Sequence, residues 1–402
     1  MEKKGVSTFF EEFLVRESLF VDRSVLLSSF APENIQHREK EINQIANILA
    51  PALKHEKPSN LFVYGNTGTG KTLTIKHITD NMAKIAAEKN IPLKIIYTNC
   101  KLKRTADTEY RLIAQLASSF GRTIPATGLP TDEVYKVFYD SVEKESSTIL
   151  LVLDEIDQLI KKTGDSALYN LTRINEDLKK SQITLLGISN NTIFMDNVDP
   201  RVKSSLSEED IFFSPYNALE MQDILRERAH KAFKENALET GVIEKCSAYT
   251  AREHGDARKA IELLRVAAEI AERAKNKTVS LGHIDEAEEK LEKEKIIDVV
   301  KTQPKQFQAV LLSIISTKLK NPYVYTGEIY EFYKRLSFKI GLRPLTQRRI
   351  SDIISEFELM GILNTKTISK GRYGRTRDIS LSISPSAIPL TQKILEDELC
   401  LP

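Results

Sequence analysis

Between Asn60 and Tyr216 short unbroken apolar runs alternate with stretches whose apolar residues recur every three or four positions. LFVY from Leu61, KIIYT from Lys94, ILLVL from Ile149, ITLLGI from Ile183 and IFF from Ile211 read as strands. Strands without polar alternation are buried on both faces, and strands separated by helices imply a parallel sheet covered on both sides. From Asn217 to about Lys295 the strand signals vanish, and helical stretches break near Gly241 and Gly255 and at Asn276 to Ser280. This predicts a small helical domain. The charged run EEKLEKEKII then leads into Lys301, Pro304 and the apolar helix AVLLSII, where a third domain begins.

In that last part LTQRRISDIISEFELMGIL reads as a helix with Thr346 as N-cap and Leu345 and Ile350 as its hydrophobic staple. Ile350, Ile353, Ile354 and Phe357 face inward, so Gln347, Arg348 and Arg349 fill the exposed first turn. ILNTKTI and RDISLSI follow, joined by SKGRYGRT, which predicts a β-hairpin with a basic tip. The expected fold is multidomain α/β, with a parallel-sheet P-loop core and N-terminal arm over residues 1–216, a helical lid over 217–297 and a C-terminal winged helix over 298–402.

A chain of 402 residues exceeds what one hydrophobic core usually supports, which agrees with several domains. No stretch approaches the roughly 18 apolar residues of a membrane span, and MEKKGVSTFFEEFL lacks the pattern of a secretory signal. Cys100, Cys246 and Cys400 are too far apart for a CxxC pair and odd in number for a disulfide framework. The expectation is a reduced, cytoplasmic and nucleoid-associated chain without structural zinc and without a membrane partner. The formal net charge of +2 hides an asymmetry: Lys301 to Arg377 holds fifteen Lys or Arg against five Asp or Glu, a net +10, leaving −8 elsewhere. A basic domain on a nearly neutral chain suggests a polyanionic partner, although a solvated charged face is the ordinary alternative.

The sharpest chemistry is GNTGTGKT: Gly65, Asn66, Thr67, Gly68, Thr69, Gly70, Lys71 and Thr72, followed by Leu73. It fits GxxxxGK[ST] and lies between a strand and a helix, as a phosphate loop must. The glycines let successive backbone N–H groups turn toward phosphate oxygens, and the helix N-terminus adds its dipole. The cofactor is expected to be ATP or ADP with Mg²⁺, with Lys71 on the β and γ phosphates of ATP and Thr72 on Mg²⁺. ILLVLDEID ends the third strand with Asp154, a candidate Mg²⁺ ligand, and Glu155, a candidate to polarise water. ITLLGISNN brings Asn190 to the end of the next strand, where an amide can orient that water. In DPRVKSSL, Arg201 is a charge donor to a phosphate or a surface arginine. GDARKAIELLRVAAEIAERA opens with Asp256 as N-cap, and Ala260, Ile261, Leu264, Ala268 and Ala271 form its expected buried stripe. Arg258 then stands off the stripe, toward either a nucleotide or solvent.

In the basic domain the first turn of a recognition helix reaches base edges, which nominates Thr346, Gln347, Arg348 and Arg349. Lys370, Arg372, Tyr373, Arg375 and Arg377, on or beside the hairpin tip, are placed for phosphates or a minor groove. A winged helix that serves protein contacts is the alternative.

These blocks, in this order, resemble the archaeal Orc/Cdc replication-initiator family, relatives of the eukaryotic origin-recognition and helicase-loading AAA+ proteins. APENIQHREKEI, the P-loop, LVLDEID, GISNN, DPRVKSSL, SPYNALEMQDIL, HGDARKAIELLR and PLTQRRISDIISEFELMGIL carry the resemblance, which spans nearly the whole chain. It implies an AAA+ ATPase that binds origin double-stranded DNA and helps recruit or load the replicative minichromosome-maintenance helicase, alongside paralogous initiators. It also implies a sensor role for Asn190, an arginine-finger region at Arg201, a second sensor at Arg258, and an adenine pocket lined by His37, Arg38 and Tyr216. NCKLKRTADTEYRLIAQLASSFGRTIPATGL is similar to the family's insertion that touches DNA, with Lys103 and Arg104 as contacts. Many relatives carry a second arginine four residues beyond Arg201, where this chain has Ser205, so a slow ATPase is expected. A transcription regulator shares the winged helix, and a clamp-loader-like ATPase shares the sheet and lid.

Overall fold

The computed structural model describes residues 17–101, 108–125, 127–191, 198–206, 208–252, 255–319, 321, 324–369, 375–385 and 387–401. It divides into two compact units, Met1–Leu281 and Gly282–Pro402.

The first unit is built on five parallel strands: β1 (Asn60–Gly65), β2 (Leu93–Asn99), β3 (Thr148–Asp154), β4 (Gln182–Ser189) and β5 (Glu208–Phe213). Their spatial order is β2-β3-β4-β1-β5. Each strand presents alternate residues to opposite faces, and in the central strands β1, β3 and β4 both sets are buried. Leu61, Val63, Leu150, Val152, Leu186 and Ile188 pack against α1 (Glu39–Leu49) and α2 (Lys71–Glu88). Phe62, Ile149, Leu151, Leu153, Ile183 and Leu185 pack against α3 (Glu109–Ser118), α4 (Thr131–Val142), α5 (Ile156–Thr163) and α6 (Ser166–Asp177). That two-sided burial is why the strand sequences lack polar alternation. A short helix, α7 (Pro200–Leu206), precedes β5.

Three helices follow the sheet: α8 (Ala218–Ala232), α9 (Val242–Arg252) and α10 (Ala257–Arg273). Asn217 and Glu220 form a reciprocal capping box at the start of α8. Asp256 caps α10 by accepting from the backbone N–H groups of Arg258 and Lys259. The buried face of α10 is wider than the expected stripe, because Leu263, Val266, Ala267 and Ile270 join it. Ile261, expected in that stripe, instead lines a cleft: the helix is covered on one side by its neighbours and borders a cavity on another.

The second unit holds α11 (Leu281–Thr302), α12 (Lys305–Lys318), α13 (Thr326–Lys339), α14 (Gln347–Leu359), β6 (Leu363–Ser369), β7 (Arg375–Leu381) and α15 (Ile388–Glu398). Because α11 runs unbroken to Thr302, residues 297 and 298 fall inside a helix. The strands β6 and β7 pair antiparallel from Leu363↔Leu381 to Ser369↔Arg375. Ile350, Ile353, Ile354 and Phe357 of α14 are buried with Val310, Leu311, Ile314, Tyr333 and Ile379, so the inward stripe read from the sequence is the core of a winged helix. Among the described residues no helix is long and apolar enough to cross a membrane.

Candidate nucleotide site and nucleic-acid interface

The strand order brings the chemical residues into line. β1, β3 and β4 are adjacent and parallel, with Asp154 opposite Ile188 and Tyr64 opposite Ser189. The P-loop therefore leaves β1 beside Asn190, which follows β4, and Asp154 ends β3 one strand further on. Ligands gather at the C-terminal ends of such strands.

The loop itself is shaped by what surrounds it. Gly65 has φ +154°, and a Cβ there would lie 2.4 Å from the Phe213 carbonyl oxygen; Gly68 has φ +75°, and a Cβ would lie 1.7 Å from Asp256 Oδ1. The second approach is made by the helical part: the Ala257 N–H donates to the Gly68 carbonyl at 3.2 Å, so α10 starts on the P-loop. Lys71 Nζ donates to the carbonyls of Gly65 (2.9 Å) and Asn66 (2.7 Å), spanning the loop. Thr69 Oγ1 also donates to the Asn66 carbonyl, at 2.9 Å, and Thr67 is exposed. Burial, with the Arg258 charge second, pushes the Lys71 ammonium down to about 8, against the opposing pull of Asp154.

Thr72 Oγ1 donates to Asp154 Oδ2 at 3.1 Å, and the Tyr97 hydroxyl donates to the same oxygen. Burial and then the Asp154 hydrogen bond push the Tyr97 phenol far above its usual range. A threonine hydroxyl beside a carboxylate is an all-oxygen donor set that suits Mg²⁺, which takes one or two protein oxygens and fills the rest with water and phosphate. Glu155 stands in a left-handed conformation, φ +56°, at the start of α5. Its carboxylate lies 3.6 Å from Lys101 Nζ and 3.5 Å from Asn99 Nδ2. Backbone strain of this kind tends to gather where a side chain must be aimed.

A cleft of about 770 Å³ lies over the loop, bordered by Gly68, Gly70, Thr72, Leu73, Tyr216 and Arg258. Its volume is that of a small-molecule site. Arg38, His37 and Arg201 do not line it. Arg38 is only 2% exposed and clamps the underside of the site: Nε donates to the Thr69 carbonyl at 3.0 Å and Nη2 to the Ser214 carbonyl at 2.6 Å, with its guanidinium 4.0 Å from the Tyr216 ring centre. His37 borders a neighbouring cleft, its Nε2 3.1 Å from Asp223 Oδ2. Arg201 is exposed on α7 and does not line the 770 Å³ cleft. Sequence reasoning missed the far wall, formed by Leu26 to Pro32 and Asn34 to Gln36, together with Arg228. The signals were the short apolar turn SVLL, which Asp22 caps by accepting from the Ser24 N–H, and the block APENIQHREKEI, whose Ala31 to Gln36 carry the resemblance without announcing a cleft wall.

In the second unit Thr346 caps α14 by accepting from the Arg349 N–H, and Gln347, Arg348 and Arg349 are exposed. Arg349 is drawn along its own helix, 3.5 Å from Glu356 Oε1 and 3.9 Å from Asp352 Oδ2. Arg377, grouped by sequence with the phosphate-facing cations, turns onto the helix instead: its Nη1 donates to Ser355 Oγ at 2.7 Å. Lys103, Arg104, Lys370, Arg372 and Tyr373, and the side chain of Arg375, lie outside the described residues.

Comparison with known proteins places this architecture. Residues 54–191 match a family model for an AAA domain, residues 222–289 one for the Cdc6 AAA+ ATPase-type lid domain, and residues 298–389 one for the CDC6 C-terminal winged helix domain. The chain is 45% identical over 392 residues to an ORC1-type DNA replication protein of Pyrococcus abyssi, covering 96% of this chain and 93% of the relative. It is 45% identical over 389 residues to ORC1-type DNA replication protein 1 of Archaeoglobus fulgidus, covering 97% and 93%. Its fold matches a structure of the Aeropyrum pernix ORC1 protein in complex with DNA at a TM-score of 0.83 and 40% identity, covering 96% and 98%. Cdc6p from Pyrobaculum aerophilum, at 23% identity and a TM-score of 0.60 over 95% and 100%, shares the fold. With an AAA+ ATPase core, a Cdc6-type lid and a C-terminal winged helix in one chain, the protein belongs to the ORC1-type DNA replication protein family.

Proposed function

We propose that this chain is a replication initiator that binds double-stranded origin DNA and helps recruit or load the replicative minichromosome-maintenance helicase, with ATP and ADP as the two states of a slow switch. The observation that carries the reading is the joining, in one chain, of a P-loop cleft bordered by the lid residue Arg258 to a winged helix whose exposed first turn is Gln347, Arg348 and Arg349. The Aeropyrum pernix relative, in complex with DNA, supports it.

In this reading the backbone from Asn66 to Gly70 and the start of α2 surround the phosphates, and Lys71 gives up its loop carbonyls to pair with them. Thr72 and Asp154 hold Mg²⁺, which when bound neutralises charge developing on the phosphates. Glu155 takes up a proton from the attacking water, and Asn190, at the end of the adjacent strand, orients that water. Arg258 carries the phosphate state to the lid. Arg201 faces a paralogous initiator rather than its own cleft, and with Ser205 four residues on, hydrolysis is slow. Arg348 reads a base edge, while Arg372 and its neighbours bind phosphates.

The test uses the full chain, ATP, the helicase and plasmids with and without a mapped origin from the same organism. Helicase should remain on the origin plasmid after a salt wash when the chain and ATP are present, and be lost with Lys71→Ala. Retention that is equal with and without the chain contradicts the proposal.

A further inference from the structure

We propose that the arm from Ser18 to Gln36 and the helices α8 to α10 form a single moving part, and that Arg228 is the positioning residue that holds this arm as the far wall of the nucleotide cleft. The inference rests on the cleft being the nucleotide site, and deepens that reading.

Arg228 stands on α8, has no hydrogen bond to the P-loop among the described residues, and is 8% exposed. Its Nη1 donates to the Val25 carbonyl at 2.8 Å and its Nη2 to the Phe30 carbonyl at 3.4 Å, while the guanidinium lies 4.5 Å from the Phe30 ring centre. One planar fork thus ties both ends of the segment from Val25 to Phe30, and residues 26–30 between and at those ties line the cleft. A buried guanidinium is tolerated only where its donors are met, and here backbone carbonyls of the arm meet them.

Two further attachments run from the arm to the same helices. The Val21 N–H donates to the Ala232 carbonyl at 2.8 Å and the Lys234 N–H to the Leu19 carbonyl at 3.0 Å, with the Phe20 and Phe233 rings stacked at 4.9 Å. Glu272 of α10 accepts from Ser18 Oγ (2.7 Å) and the Leu19 N–H (2.9 Å) and pairs with Arg23. The chain changes allegiance between two consecutive residues. His37, at φ +57°, reaches Asp223 on α8, and Arg38 reaches the P-loop through Thr69. Hydrogen bonds and ion pairs therefore tie Ser18, Leu19, Val21, Arg23, Val25, Phe30 and His37 to the lid, whereas Arg38 is bonded to the P-loop. The lid carries both the arm, which lines the cleft with Leu26, Leu27, Phe30 and Ile35, and Arg258, at the phosphate loop. An apolar wall suits a base and ribose, so loss of Arg228 should weaken nucleotide binding at the end remote from the phosphates.

The test is titration calorimetry of the full chain, Arg228→Ala and Arg228→Lys with ATP, ADP and tripolyphosphate at fixed Mg²⁺, alongside steady-state ATP hydrolysis. Arg228→Ala should raise Kd for ATP and ADP by a common factor of tenfold or more, leave Kd for tripolyphosphate within twofold, and raise KM more than it lowers kcat. Arg228→Lys, which keeps one of the two carbonyl bonds, should fall between; it carries the test if melting curves show that the Ala variant is unfolded. Unchanged ATP affinity in both variants overturns the proposal, as does an equal loss for ATP and tripolyphosphate. If the unsubstituted chain binds no ATP, the nucleotide reading itself fails, which is a separate result.

Discussion

At the residue scale the account turns on how each charge is held. Lys71 is buried against two carbonyls and beside Arg258, and its ammonium titrates at about 8. Phosphates bind the protonated form, so as pH rises through about 8 the free site loses its proton and ATP affinity should decline, by up to tenfold per pH unit while the bound form stays protonated. Calorimetry between pH 7 and 10 should show this decline in the native chain and not in Lys71→Arg, whose guanidinium stays charged. A flat profile for the native chain would mean that Lys71 does not meet the phosphates. Glu155→Gln should keep nucleotide affinity within a few fold while cutting turnover by roughly a hundredfold or more, since an amide has the shape of the carboxylate but cannot take the proton. Turnover equal to that of the native chain would remove Glu155 from the mechanism. Gly65 to Thr72, Asp154 and Glu155 could be nominated from the sequence because a phosphate loop and the acids that end a neighbouring strand have a fixed local spacing. Arg228 could not be, and Arg38 was named only through the resemblance, for the adenine pocket rather than as a clamp: both are buried arginines whose partners are backbone carbonyls distant in sequence, and no periodicity marks a carbonyl as a partner.

At the scale of elements, five strands and the inward face of α14 could be read directly, because unbroken apolar runs and a three-to-four repeat each have one economical burial. The breadth of the buried face on α10 could not, since it depends on how many neighbours surround the helix. The wing shows a similar limit: a basic hairpin announces positive charge but not which guanidinium turns inward. Arg377, bonded to Ser355, should brace β7 against α14, whereas Arg348 is exposed in the helix's first turn. Arg348→Ala should then cost about 1 to 3 kcal/mol at one base-pair position and little on random duplex. Arg372→Ala should weaken all duplexes and lower the salt slope by about one charge. Arg377→Ala should lower the melting temperature, at about 1 kcal/mol for a lost half-buried hydrogen bond, and leave the salt slope nearly unchanged. Salt titrations on origin and random duplexes, with melting curves, separate the three. A full unit of salt slope lost on Arg377→Ala would place that residue on phosphate instead.

For the whole molecule, the uneven charge is the broadest clue. Residues 301–377 carry a net +10 on a chain of net charge +2, and the P-loop core stands at the other end of the sequence. That division matches an ATP-responsive part and a polyanion-binding part joined in one polypeptide. The order of motifs made the family legible, because it is far less frequent by chance than any one motif. The role of the N-terminal arm stayed hidden, since its first part, Ser18 to Phe30, has no motif and takes its shape from the helices that bind it. The central claim, that the chain starts replication at particular sites, is tested most directly by mapping where it binds across its own genome in growing cells, alongside where nascent DNA begins. The account predicts a few strong sites that coincide with replication starts and vanish with Arg348→Ala combined with Arg372→Ala. Binding scattered over many promoters, with none at the replication starts, would contradict it.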